Sequence, residues 1–256
     1  MMKYFLLQIL ILIAFADFSQ SQENKVDSKG RKQGEWVKFH KSSRVPQYKG
    51  QFKDDKPVGK FTYYYPSNKV KAIIIHDENS PRSEAYFYHE NKKLMAYGIY
   101  KNQEKDSVWS HYDPRERLSY KETFKNGELH GKKIIYFVTS SSPNQNNKKE
   151  ISQELHYENG RLNGPTKEYF PGGTLKLEGK YKEGKFDGVV KRYHPNGKLH
   201  LLERYKDRRR HGWWITYDNN EKELGRKYYY KGRALEGEEL KKKMEYFKEN
   251  DINPNK

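Results

Sequence analysis

The chain contains no cysteine. That one absence excludes a disulfide framework, thiolate metal sites, a thiol nucleophile and a lipid anchor on an N-terminal cysteine. Apolar residues are scarce as well, at 34% of 256 residues, too few for one thick globular core. No hydrophobic run after residue 16 is long enough to cross a bilayer, and no GxSxG, P-loop, Rossmann or HExxH phrase occurs. What is abundant is aromatic and cationic: 22 Tyr, 12 Phe and 4 Trp make up 15% of the chain, and its formal net charge is +17. Disordered chains are depleted in such rings, so something ordered is built largely from aromatics.

The chain opens MMKYFLLQILILIAFADFSQSQ, with Lys3 followed by an apolar run from Tyr4 to Ala16 and then small residues at Ser19 and Ser21. The run is shorter than the roughly 20 residues a membrane span needs, which predicts a secretory signal peptide over residues 1–21, cleaved after Ala16 or Ser21. The expected location is therefore outside the cytoplasm: periplasmic, secreted or envelope-associated.

A glycine-led phrase recurs along the remainder, most clearly from Gly164, Gly188 and Gly212, 24 residues apart. In the same phase stand Gly131, Ser107, Ser83 and Gly59, with Gly34 one residue further off. The interval from Gly131 to Gly164 is longer, at 33, because of a Ser/Asn/Pro stretch that reads as a loop inserted over residues 139–149. Eight copies thus fill a repeat region spanning residues 22–236. Five residues after each leader stands an aromatic: Phe39, Tyr64, Tyr88, Tyr112, Tyr136, Tyr169, Tyr193 and Tyr217. Repetition demands a packing residue in such a column whether or not anything binds there. Each copy holds two short runs rich in Tyr, Val, Ile, Trp, Phe and Leu, separated by turn phrases such as HPNG (194–197) and closed by bends such as KNGELHG (125–131). Two strands per copy predict an antiparallel meander of sixteen.

The phrases GPTKEYFPGG, GVVKRYHPNG and ENGRLNG resemble the MORN-repeat variants, and among them bacterial MORN-like repeat proteins of the YwqK type. Those often carry the label of the antitoxin component of a toxin–antitoxin module. The resemblance implies an all-β, elongated antiparallel β-hairpin repeat ribbon whose members bind differing partners, and it brings the antitoxin as one reading of function. The third and fourth copies depart from the phrase, with Ser83 and Ser107 as leaders and HENKK and KNQEK at their turns, which predicts a locally irregular sheet there.

From Gly237 the turn signals stop, and EELKKKMEYFKEN places Leu240, Met244 and Phe247 on one face. This predicts a helix over residues 237–249 that caps the end of the ribbon, followed by a frayed tail at 250–256. No enzyme is expected, because the nine histidines scatter without a metal frame and no carboxylate pair stands out; neither cofactor nor metal is foreseen. The candidate binding residues lie on the surface instead. Trp36, Trp109 and Trp214 stand two residues after their leaders, on the face opposite the aromatic column, and Arg208, Arg209 and Arg210 form the densest basic bend. The expected function is a protein-binding scaffold in the cell envelope, with a glycan or anionic lipid surface as the alternative partner. Export argues against nucleic acid.

Overall fold

The structure, a computed structural model, describes residues 23–138 and 150–256. The expected signal peptide and the inserted loop at 139–149 lie outside the described residues. The rest is one sheet in which each strand pairs antiparallel with its neighbours in the chain, from Lys25–Val26 to Arg233–Leu235. Its first and last strands do not pair with each other, so the sheet is open. It has 21 strands. Three of them, Arg161–Leu162, Lys185–Phe186 and Arg209–Arg210, are the leading pieces of the strands that follow, cut at a single residue. With those joined, sixteen long strands run between the short strands at either edge, as the two-strand copy predicts.

The closing bends share one geometry. Two consecutive residues take left-handed φ at Asn126 and Gly127 (49° and 78°), Asn159 and Gly160 (48° and 74°), and Glu183 and Gly184 (49° and 82°), the requirement of a two-residue type I′ hairpin. Asn102 and Gln103 in the KNQEK bend do the same, at 52° and 67°, so that bend is regular despite its missing glycine. The leading position is also left-handed in most copies, because there a bulge sets three residues against one on the preceding strand. Val58 pairs with Gln51 and Thr62 with Lys49 across Gly59; Ser107 holds the same conformation at φ 59°. The third copy is the exception. Ser83 is not left-handed, residues 77–82 form a longer bend, and the pairing from His76 to Ser83 runs without a bulge. Irregularity is thus confined to that junction and does not reach the fourth copy.

Neighbouring copies are stapled at both ends of their hairpins. At one end the residue six after the leader bonds the carbonyl of the aromatic in the next copy: His40 Nε2 to Tyr64 O (3.1 Å), Tyr65 Oη to Tyr88 O (2.8 Å), His89 Nε2 to Tyr112 O (3.0 Å) and His194 Nε2 to Tyr217 O (3.0 Å). At the other end the bend glycine donates backward, as Gly127 N does to Lys105 O and Gly232 N to Arg210 O. Three histidines without a role in the sequence therefore share one column.

The two faces of the sheet are unequal. One carries the residues two after the leaders, of which Phe61, Ala85, Trp109, Thr166 and Val190 are fully buried. Beside them lie Ala72, Ala96 and Leu177, and the half-buried aromatics of the preceding strands, such as Tyr100 and Phe124. Glycine makes room for this row: a Cβ on Gly179 would come within 2.9 Å of Val190, and one on Gly50 or Gly98 would overlap the ring of Phe61 or Trp109. The opposite face carries the aromatic column five after the leaders, which is half-buried except for the more exposed Phe39. Its phenols tie strands together, as Tyr169 Oη donates to Glu154 (2.8 Å) and Tyr193 Oη to Glu178 (2.7 Å).

The helix, α1 (Gly237–Glu249), closes the C-terminal end by burying Phe247 against Tyr228 and Leu235, with Leu240 and Met244 beside them. Trp213 joins the cluster because the Trp213–Trp214 pair sends one indole to each face. The tail, expected to fray, is docked: Tyr228 Oη donates to Pro254 O (2.9 Å) and Trp213 N to Asn255 Oδ1 (3.1 Å). Tyr228 and Trp213 lie on the face that the helix covers, and their free donors give the tail a place to bond. Among the described residues no helix is long and apolar enough to cross a membrane.

Candidate functional site

The packed face opens into a groove over the third and fourth copies, with a volume of about 420 Å³ and walls of Phe87, Tyr100, Trp109, His111 and Tyr120. The hairpin stagger places these rings in a continuous row. Trp109 forms the floor, 1% exposed, with Tyr100 edge-on at 5.0 Å and Phe87 tilted at 6.1 Å. Lys105 stands at the rim, its ammonium 4.5 Å from the Trp109 ring and 4.8 Å from Phe124.

At one end of the groove the repeat breaks its own rule. Lys133 occupies the column held elsewhere by Phe61, Trp109 and Val190, and Glu122 occupies the facing column of Gly50, Gly98 and Gly179. A ring over a glycine has become an ion pair, Lys133 Nζ to Glu122 Oε1 at 2.7 Å. His111 approaches the same carboxylate, Nε2 to Oε2 at 3.5 Å, and stacks on Tyr120 with centroids 4.3 Å apart. The His111 contact and the Lys133 ammonium hold the Glu122 carboxyl at about 2, against the burial that would raise it. A carboxylate held that low stays ionised near neutral pH, where it pairs with Lys133 and His111. The groove is suited to holding a flat apolar group beside a cationic rim.

The tryptophans do lie opposite the aromatic column, as strand alternation predicts. Their exposure does not follow. Trp109 is buried, and all three indoles are used internally: Trp36 Nε1 donates to Lys25 O (3.2 Å), Trp109 Nε1 to Ile99 O (3.1 Å) and Trp214 Nε1 to Arg204 O (3.0 Å). They stand in the packing row, and for Trp109 the facing Gly98 lets the ring settle onto the backbone. Trp109 therefore forms the floor of the groove and does not project from it. Nor do the three arginines act together. Arg210 lies over Trp214, its guanidinium carbon 4.8 Å from the ring, while Arg208 and Arg209 line a separate cleft beside α1. Alternation along Arg209–Arg210 sends neighbours to opposite faces.

Sequence reasoning missed His111, Tyr120, Glu122 and Lys133. The available signal was Lys133 itself, a cation at a position where other copies carry rings or small apolar residues. Among the described residues no group of three His, Asp or Glu side chains converges as a metal site would require.

The MORN repeat variant profile matches four segments, residues 57–77, 83–102, 162–183 and 186–207. Each spans most of one hairpin copy. No curated protein matches the sequence. Solved structures with similarity include one titled Crystal Structure of TcdB2-TccC3-TEV, at 9% identity and a TM-score of 0.23, covering 82% of this chain and 14% of that one. A second, Crystal Structure of TcdB2-TccC3-Cdc42, stands at 10% identity and a TM-score of 0.20, covering 80% and 12%. This chain thus spans a small part of the length of either. The profile falls on the second, third, sixth and seventh copies of a hairpin that recurs in phase, so the chain carries MORN-variant repeats.

Proposed function

We propose that the protein is an exported, non-enzymatic repeat scaffold that holds a protein partner of the cell envelope against its packed face. The observation that supports this most is the groove over Trp109: a floor of fully buried ring, walls of half-buried rings and a cationic rim, all on rigid strands. A preformed apolar depression of that kind takes an aromatic or aliphatic side chain of a partner as an anchor. Glycan stacking on Trp109 loses its support, since that ring is buried and presents no open face. Export rests on the amino-terminal apolar run that ends at Ala16.

The test couples location with capture. Cell fractionation and amino-terminal sequencing of the recovered protein report export; an intact amino terminus in the cytosolic fraction would end that part of the proposal. Capture from envelope extract with the wild-type chain and with Tyr120→Ala then reports the surface. One discrete protein held by the first and lost by the second is the expected result, and retention by both would remove the groove from the site. A toxin recovered as that protein would make the scaffold an antitoxin.

A further inference from the structure

A second concavity, of about 620 Å³, lies where the last two bends of the sheet meet α1 and the tail. Its lining is drawn from three places in the chain: the bend at Lys206, Arg208 and Arg209, the bend at Lys231, and Lys243 and Lys256 beyond the repeats. Against these six cations the lining brings one carboxylate side chain, that of Asp207. Residues 236–256 hold five Lys and six Asp or Glu, so by sequence this segment is slightly acidic. Folding sorts it. Glu239 is drawn to Arg233 away from the cleft, while Lys243 is turned toward it.

The cations are also held in place and largely unspent. Of these six, only Arg208 has an ion-pair partner among the described residues, Glu183 at 2.7 Å. Lys243 Nζ is fixed over aromatic faces, 4.2 Å from the Tyr230 centroid and 4.9 Å from those of Tyr246 and Phe247. Left-handed φ at Asp207 and Arg208 (49° and 64°), without a glycine, carries the Arg208 side chain at the apex of its bend. Between the charges lies apolar surface that solvent reaches, Tyr246 at 49% and Ile252 at 39%. Like charges gathered on a structured wall repel one another unless an anion sits among them.

We infer that this cleft binds an acidic peptide segment of a partner protein, one that carries an apolar side chain among its carboxylates. Cations spread over three segments match charges spaced along an extended chain, and the exposed Tyr246 and Ile252 receive the apolar residue. The inference deepens the scaffold reading and rests on it in taking the occupant to be protein; the site is distinct from the Trp109 groove.

The experiment uses fluorescence anisotropy with the full chain at physiological ionic strength. The probe is a labelled peptide of glutamates with interspersed phenylalanines, beside the same peptide with Gln for Glu. Saturable binding of the acidic peptide is expected, with the Gln peptide at least about tenfold weaker. Arg209→Gln with Lys231→Gln lowers affinity about tenfold, while Lys53→Gln with Lys56→Gln, the same charge change at a distant bend, leaves it unaltered. Far-UV spectra of both double variants check their fold. Equal losses in the two would mean diffuse charge attraction and overturn the site. Displacement of the peptide by inorganic phosphate, or preferential binding to phosphatidylglycerol vesicles that depends on Arg209 and Lys231, would overturn the peptide assignment in favour of those anions. Failure here with Tyr120-dependent capture intact would refute the cleft and leave the scaffold standing.

Discussion

The indole of Trp109 occupies the space that a Cβ on Gly98 would claim. Gly98 has ordinary strand φ, so the glycine serves the ring above it and not a turn. Gly98→Ala is expected to destabilise the protein by about 2 kcal/mol through overpacking, and Trp109→Ala by about 3–5 kcal/mol through the cavity it leaves. Chemical denaturation of the two single variants and the double variant measures both. Combined, they should cost less than their sum, since with the indole gone the alanine methyl has room.

Acid sensitivity should come in two windows. The Glu122 carboxyl is held at about 2, below its ordinary 4.5, so its contribution is complete above about 4.5 and is lost as pH falls toward 2. On the order of 2 kcal/mol is at stake. His76, half-buried with no hydrogen-bond partner for Nε2, has its pKa lowered by burial from 6.5. It favours the fold when neutral, and that contribution falls away as pH drops below about 6.5. Denaturation midpoints across pH should show both limbs, with Glu122→Gln flattening only the lower one. A lower limb that survives this substitution would assign the acid loss elsewhere.

The amino-terminal edge is guarded by one side chain. Asn24, left-handed at φ 62°, donates its N–H to Glu35 O (2.8 Å) and accepts from Val37 N with Oδ1 (2.9 Å), extending the two-residue edge strand along the next one. Asn24→Ala removes the acceptor and leaves Val37 N–H open beside the exposed Phe39, at a cost of about 1 kcal/mol. Light scattering after size exclusion is expected to show association that the wild type lacks; a monodisperse variant would mean the edge is protected otherwise.

The docked tail should behave as part of the terminal cluster. Deleting residues 250–256 removes the Pro254 and Asn255 contacts to Tyr228 and Trp213, with an expected loss of about 1–3 kcal/mol and a red shift in tryptophan emission. Phe247→Ala, at the centre of the same cluster, should cost about 3–5 kcal/mol. A truncated chain with unchanged emission and midpoint would show the tail to be dispensable.

The ribbon could be read before any coordinates because its determinants are local. Asn-Gly at a bend and alternation along a strand need no knowledge of distant residues. The packed face was harder to identify, since two aromatic columns compete and only the glycine eleven residues before Trp109, Phe61 and Val190 tells which one is pressed against backbone. Arg208, Arg209 and Lys243 could not be grouped from the sequence. They come together only after the helix folds back, and the helix folds back because Trp213 stands where other copies carry Glu35, Lys60 or Val189. The His111–Glu122–Lys133 cluster was hidden for a related reason: a charged residue in a column of rings looks like noise until its partner is seen in the facing column.

The linear order of pairing also has a mechanical meaning. Because each described hairpin bonds only to those before and after it, the two edges of the sheet are its first and last strands in sequence order. Tension applied between them loads one ladder of hydrogen bonds at a time, and the protein should lengthen in small steps at low force. The end clasped by α1 and the tail should yield last, so a partner seated there would stay attached while the rest of the ribbon pays out like a tether.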